Sequence, residues 1–453
     1  MGFSQKLYKY GVILPIFFLR GENYPACLKQ AEAFQWWPED DQKSWQNKKL
    51  KNLLKVAREQ VPFYQERYQA LGAALSDFSI EDITRLPFVT KADLKARHGD
   101  LINPHFKGRV TVKTTGGSTG QAVTVHKNRS ATAWEQAANW RGFRWAGLDL
   151  GAKQARFWGV PFSQKDRLRT KLIDWAAHRL RLSAFSFSEA DLERYLEELN
   201  RFKPDYFYGY VSMLNQFAEF LERRNLRLNF SPKAVITTSE VLTAVHRERF
   251  ERVFRTRVFV EYGCGEIGTI AHECEEGSLH VNADNVILEI LNEDRHCRQG
   301  ELGEIVVTEL NNVAMPLIRY RMGDFASFAK ENCPCGRTLP VIENIAGRAY
   351  DLVYNREGKL FHGEFFMYIF EQVKQKNLGV NAFQVIQEDT EHFTIKIQPG
   401  PNYGPETEKL ITRLIHEGYG DYAQIRFQMV EKIEREKSGK MRLIVGMKSP
   451  NSK

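Results

Sequence analysis

The chain has 453 residues, 43% hydrophobic and 26% charged, with 64 basic and 56 acidic side chains giving a formal charge of +8. That length exceeds one ordinary core, so two or three domains are expected, and the composition excludes a disordered or fibrous chain. The basic surplus is spread along the chain without a nucleic-acid-binding motif, and six cysteines in so long a chain make no disulfide framework.

Near the N-terminus the apolar run GVILPIFFL, Gly11 to Leu19, is interrupted by Pro15 and followed by RGENYP, without a small-residue cleavage site. A spanning helix needs about twice that length, so the expectation is a cytoplasmic protein with at most peripheral membrane contact. The stretch DDQKSWQNKKLKNLLKVAREQ spaces its apolar residues by three and four up to Pro62, and residues 1–105 read as a helical start. From Gly108 the pattern becomes strand-like. RVTVKTT and QAVTVHK alternate Val and Thr, which predicts two strands joined by TTGGSTG, Thr114 to Gly120. Bare backbone N–H groups in such a hairpin tip can converge on an anion. A Walker loop would carry a lysine and run into a helix; this one does neither, and an ordinary turn is the plain alternative.

Further on, Ser188 and Asp191 form a capping-box pattern before LERYLEELNRF, which Pro204 ends. The segment YGYVSMLNQFAEFLERRNL predicts a helix and AVIT, from Ala234, a buried strand. Strand and helix alternate to about Gly263, which argues for a mostly parallel sheet covered by helices. NVILEIL, GEIVVTEL and PLIRYRMGD then predict an antiparallel barrel or β-rich subdomain. AFQVIQED, HFTIKIQPG, a helix from about Pro405 to Gly418 and IRFQMVEKI make a small α+β unit, with GRAYD, Gly347 to Asp351, at its entrance. The fold class expected is α/β: a large N-terminal domain of β-sheets flanked by helices with a β-rich subdomain, residues 1–346, and a small C-terminal α+β domain, residues 347–453.

VFVEYGCGEIG, Val258 to Gly268, contains a GxGxxG pattern after a strand, with Glu289 about twenty residues on, which invites a dinucleotide-binding reading. No long helix follows, however, and Glu266 would repel a phosphate unless a cation lay between them. Magnesium on Glu266 resolves that repulsion and leaves Tyr262 placed to stack on a base.

The succession TTGGSTG, EYGCGE, YRMGD, GRAYD and SGK resembles the adenylate-forming ligase superfamily, and within it the phenylacetate-coenzyme A ligase family and its CapK-like, capsular-polysaccharide branch. The resemblance spans nearly the whole chain, including QWWPEDDQ and VPFYQERY. It implies that Thr114, Thr115, Gly116, Gly117, Ser118, Thr119 and Gly120 close over the β- and γ-phosphates of ATP. Ser239, Glu240 and Tyr262 would line the adenine, with Glu261, Gly263 and Cys264 in the same motif. Asp324 would take the ribose hydroxyls, and Arg348 would lie near the nucleotide. Glu266 would bind magnesium, and Lys440 would enter the site on a mobile C-terminal lid, with Thr115, Glu266 and Lys440 the catalytic set. The implied reaction converts a carboxylic acid to an acyl-adenylate, then passes the acyl group to coenzyme A or to an amine, a sugar included. Gly265 stands where the family has a hydroxyl residue, Ala122 where proline is usual and Tyr350 where an acid is common.

HECEEGSLH and CPCGR form a second constellation. Cys274, His280, Cys333 and Cys335 suit a tetrahedral structural zinc in segment 272–335, with His272 as substitute for His280 and free buried cysteines as the alternative. Two other function classes stay open: a dinucleotide-dependent oxidoreductase using GCGEIG, and a non-catalytic nucleotide-binding homologue.

Overall fold

The computed structural model describes residues 2–69, 78–115, 123–158, 167–183, 189–240, 242, 244–292, 294–301, 303–346, 353–356, 360–361, 364–433 and 444–446. Helices α1 (Phe3–Tyr8) and α2 (Leu14–Arg20) flank a π-helical turn at Lys9–Ile13, and Pro15 falls in the first turn of α2, where its missing N–H is tolerated. Helix α3 (Tyr24–Phe34) precedes α4 (Glu39–Gln60), whose first turn carries Glu39, Asp40 and Asp41 at the positive end of its dipole. Leu50, Leu53, Leu54 and Ala57 make its buried stripe. Pro62 opens α5 (Pro62–Arg67). Thr90 and Asp93 then cap α6 (Lys91–Ala96) reciprocally, and α7 (His98–Leu101) follows.

Strands β1 (Val110–Thr115) and β2 (Val123–Asn128) pair antiparallel with Thr115 opposite Val123, the two arms of the expected hairpin. Behind it lies α8 (Arg129–Trp145). The chain then alternates β3 (Gln154–Trp158), α9 (Arg167–Ala176), β4 (Arg179–Ser183), α10 (Glu189–Phe202), β5 (Tyr206–Gly209), α11 (Val211–Arg223), β6 (Ala234–Thr238), α12 (Ala244–Phe254) and β7 (Val258–Cys264). All four pairings among these strands are parallel, each returned through a helix as the sequence pattern requires. Ala155, Phe157, Phe207, Val235, Leu214 and Phe217 fill the core between sheet and helices.

Strands β8 (Gly268–Glu273), β9 (Leu279–Val281), β10 (Val286–Asn292), β11 (Arg295–His296), β12 (Gly303–Glu309), β13 (Tyr320–Phe328) and β14 (Val341–Ala346) are antiparallel. They are the β-rich part expected from sequence, here continuous with the parallel half. They extend the parallel half into one twelve-stranded sheet ordered β11-β10-β12-β13-β14-β9-β8-β7-β6-β5-β3-β4. The join is the hairpin of β7 with β8 and the return of β14 onto β9, a long-range pairing that local patterning does not reveal. Arg319 takes φ of 52°, so the PLIRYRMGD strand begins only at Tyr320.

The C-terminal α+β unit contains β15 (Val353–Tyr354), β16 (Leu360–Phe361), α13 (Glu364–Gln375), β17 (Val380–Gln387), β18 (His392–Pro399), α14 (Pro405–Gly418), β19 (Gln424–Met429) and β20 (Ile444–Val445). Its sheet, β19-β18-β17-β20, shares a core of its own with both helices, including Phe370, Phe383, Ile395 and Ile411.

Candidate nucleotide and metal sites

Ligand sites of α/β sheets form at the carboxyl ends of parallel strands. Here β6 and β7 end side by side, with Thr238 opposite Glu261. Ser239 leaves β6 exposed and in the left-handed region, φ 68°, a conformation costly for a non-glycine residue and concentrated at functional sites. Half-buried Tyr262, near the end of β7, donates its hydroxyl to Asp324 Oδ2 at 3.0 Å, so EYGCGE and YRMGD meet in space. Val89 bridges to β13 through Val89 N–H to the Arg319 carbonyl, 3.0 Å, and Arg321 N–H to the Val89 carbonyl, 2.9 Å. This bridge brings the first residue of α6 alongside: Lys91 Nζ lies 3.9 Å from Oε1 of buried Glu266, in the turn between β7 and β8. At that distance the lysine is an ion-pair partner rather than a hydrogen-bond donor.

The hairpin is tied to the same turn. Fully buried Lys127 of β2 donates to the Ile267 carbonyl and pairs with Glu309 at 2.8 Å and Glu135 at 3.1 Å. Glu135 also receives Lys113 of β1. Burial opposes the Lys127 charge, but the two carboxylates outweigh it and hold its pKa above the ordinary lysine value. The base of the glycine hairpin and the Glu266 turn therefore share one side of the sheet.

Glu261 faces away from this cleft, as alternation along β7 demands of Tyr262's neighbour. Its Oε1 accepts from Tyr208 Oη at 3.2 Å and Thr269 Oγ1 at 3.3 Å, and burial raises its pKa to about 7 against those hydrogen bonds. Its side chain is therefore a buried, hydrogen-bonded carboxyl next to Tyr262 in the motif. Cys264 is half-buried, its Sγ accepting from Ile267 N–H at 3.4 Å, and burial pushes its thiol pKa up.

The second cluster assembles from β8, β9 and the loop before β14. One donor atom each from Cys274, His280, Cys333 and Cys335 lies within 4.8 Å of the others. Cys274 Sγ and Cys333 Sγ are 3.6 Å apart, far beyond a disulfide and near the roughly 3.8 Å edge of a tetrahedron with about 2.3 Å zinc–sulfur bonds. Cys335 Sγ lies 3.3 Å from His280 Nε2. The other ring nitrogen, Nδ1, faces the Leu339 carbonyl at 3.2 Å, which turns Nε2 toward the sulfurs. Burial lowers the His280 pKa to about 4, keeping the imidazole in the neutral form a metal needs. The residues present therefore fit a structural zinc. His272 is not among the four: it is buried against Phe143 and Trp145.

Residues 353–446 match the CapK C-terminal domain family. Over 416 residues the chain is 24% identical to Protein CapK of Staphylococcus aureus, covering 88% of each. It is 26% identical to the phenylacetate-coenzyme A ligase of Thermus thermophilus over 335 residues, 70% of this chain and 73% of that one. A crystal structure of 2-hydroxyisobutyryl-CoA ligase in complex with 2-HIB-AMP and CoA superposes with a TM-score of 0.61 at 18% identity, covering 91% of both chains, which establishes the shared fold. The chain is an adenylate-forming enzyme similar over most of its length to CapK and to the phenylacetate-coenzyme A ligases.

For an adenylate-forming ligase the dinucleotide reading has no support. GCGEIG is the turn of an antiparallel hairpin, not a strand-to-helix turn, so no helix N-terminus follows it. Glu289, the ribose acid of that reading, is buried in a two-point pair with Arg319 at 3.0 and 2.9 Å. Gly116, Gly117, Ser118, Thr119, Gly120, Arg348 and Lys440, and the Thr115 side chain, lie outside the described residues. Sequence reasoning missed Lys91 and Lys127. The T-x-x-D capping box beginning at Thr90 was a local signal for the first; nothing local marks the second.

Proposed function

We propose that this ligase binds ATP at the carboxyl ends of β6 and β7, couples it to a carboxylic acid, and passes the acyl group to coenzyme A. The observation that carries this reading is the junction of Tyr262, Asp324 and the Glu266 turn beside the anchored base of the glycine hairpin. In the first stage a carboxylate oxygen attacks the α-phosphorus, forming a C–O–P linkage while the bond to pyrophosphate breaks. In the second, the thiol sulfur attacks the carbonyl carbon and AMP leaves with the bonding pair. Asp324 holds the ribose, Tyr262 the base with Ser239 and Glu240, and Thr114 to Gly120 the phosphates. Thr115 and Lys440 meet the developing charge. Glu266 is the residue to hold magnesium, a hard-oxygen ligand for a cation that offsets phosphate charge. Residues 347–453 form the lid that carries Lys440, and Arg348 stands at its hinge.

In the same reading Cys274, His280, Cys333 and Cys335 hold a structural zinc that pins the β8–β9 hairpin to the loop before β14. Similarity to CapK over 88% of the chain favours a role in surface-polysaccharide synthesis, with an amine-bearing sugar as second candidate acceptor. The test is pyrophosphate release over a panel of carboxylic acids, followed by acyl transfer to coenzyme A or to amino sugars. Acid-dependent release that falls about 10²-fold or more in Lys440→Ala supports the proposal. No release with any acid, alongside retained ATP binding, would leave a non-catalytic nucleotide binder.

A further inference from the structure

Helices α1 and α2 are apolar on two opposite faces. The inner face holds them to the body: Gln5 Nε2 donates to the Asp149 carbonyl at 3.0 Å, Tyr8 stacks on His178 with centroids 3.7 Å apart, and Phe17 stacks on Tyr24 at 4.6 Å. The outer face presents Phe3, Leu7, Tyr10, Phe18 and Leu19, exposed by 85, 56, 61, 83 and 76%. A surface helix ordinarily turns polar side chains to water, so this face calls for a cover. The apolar area continues onto α9, because Tyr8 also meets the Trp175 ring at 6.1 Å. There Leu172, Ile173 and Trp175 are exposed by 61, 49 and 60%.

Charge decides what covers it. Lys9 and Arg20 are paired with Asp149 and Glu22, and Arg179 and Arg181 of β4 with Asp174, which leaves exposed Lys6 on α1 and exposed Lys171 on α9, with Arg167 and Arg169 beside it in sequence, as the basic residues of the two segments. A second copy would set these like charges against each other, which disfavours self-association. An anionic lipid surface would attract both segments, at about 1 kcal/mol per basic residue near it, and would take Phe, Tyr, Trp and Leu into the headgroup region. No helix among the described residues is long and apolar enough to cross a membrane, so the helices would lie on the bilayer.

We propose that α1, α2 and α9 form a docking face for an anionic membrane surface. The test is co-sedimentation of the full chain with vesicles of phosphatidylcholine alone or with about one quarter phosphatidylglycerol. The expected result is binding to the anionic vesicles that weakens as salt rises. Phe18→Ser/Leu19→Ser and, separately, Lys171→Glu should each lower it, the first about tenfold or more, with circular dichroism unchanged. Absence of binding, equal binding to neutral vesicles, or binding unaffected by either variant would overturn the proposal. So would a dimer in lipid-free sedimentation that Phe18→Ser/Leu19→Ser abolishes while the parent ignores vesicles.

Discussion

Tyr262 donates its phenolic hydrogen to Asp324 Oδ2 across 3.0 Å, joining two motifs 62 residues apart in one pair. If that pair frames the ribose and base, removing the carboxylate weakens ATP binding more than it slows the chemical step. Asp324→Asn should raise KM for ATP about tenfold or more with a smaller change in kcat. Tyr262→Phe should lose about 1 kcal/mol, a few-fold in the same parameter. Titrating ATP in the pyrophosphate assay separates the two. A fall in kcat at unchanged KM would place the pair in the reaction rather than in binding.

Lys127 is a fully buried ammonium shared by Glu309 and Glu135; its removal leaves fully buried Glu309 without a cation, while Glu135 keeps Lys113. Breaking a buried pair from one side costs about 3–5 kcal/mol. Lys127→Met should therefore lower the urea midpoint by a correspondingly large step, and Lys127→Met/Glu309→Gln should recover part of it. The exposed Arg97–Glu66 pair, shorter at 2.7 Å, is the control. Solvent screens it, so Arg97→Met should leave the midpoint nearly in place.

Local signals found what local physics fixes. The helix expected from Pro405 to Gly418 has those bounds, because proline at its start and the chain's apolar spacing both act within a few residues. The hairpin under TTGGSTG was legible in alternating Val and Thr. The four metal donors were legible as residue types, but the choice between His272 and His280 was not: these two are cross-strand partners on β8 and β9. Sheet order decides, since β9 lies between β8 and β14 and only its histidine adjoins the CPC loop before β14. The Lys127 cluster and the single twelve-stranded sheet were hidden for the same reason, both resting on pairings far apart in sequence.

Glu261 makes stability depend on pH in a stated direction. Its pKa is raised from 4.5 to about 7, chiefly by burial, so the folded state holds the proton more tightly than the unfolded chain. That contribution is complete below the ordinary carboxylate range and is lost as pH rises through about 7. The full difference is about 3 kcal/mol as an order of magnitude. Urea midpoints of the parent should fall over this window, and Glu261→Gln should flatten that part of the profile. A parent profile that rises from pH 5 to 7 and is unchanged by the substitution would contradict an ionisable core carboxyl.

The cysteine cluster makes the sharpest prediction, because free thiols and a bound zinc differ in several observables at once. Purified protein should carry about one zinc per chain by metal analysis, and a strong chelator should remove it with a fall in Tm of about 5 °C or more. Cys335→Ser and His280→Ala should each lower zinc content, since each supplies one of the four donor atoms gathered within 4.8 Å. His272→Ala should not, because that ring packs between Phe143 and Trp145 instead. A chain without zinc, whose four side chains tolerate these substitutions at unchanged Tm, would return Cys274, Cys333 and Cys335 to ordinary buried thiols. The link from β9 to β14 would then rest on a strand pairing two residue pairs long.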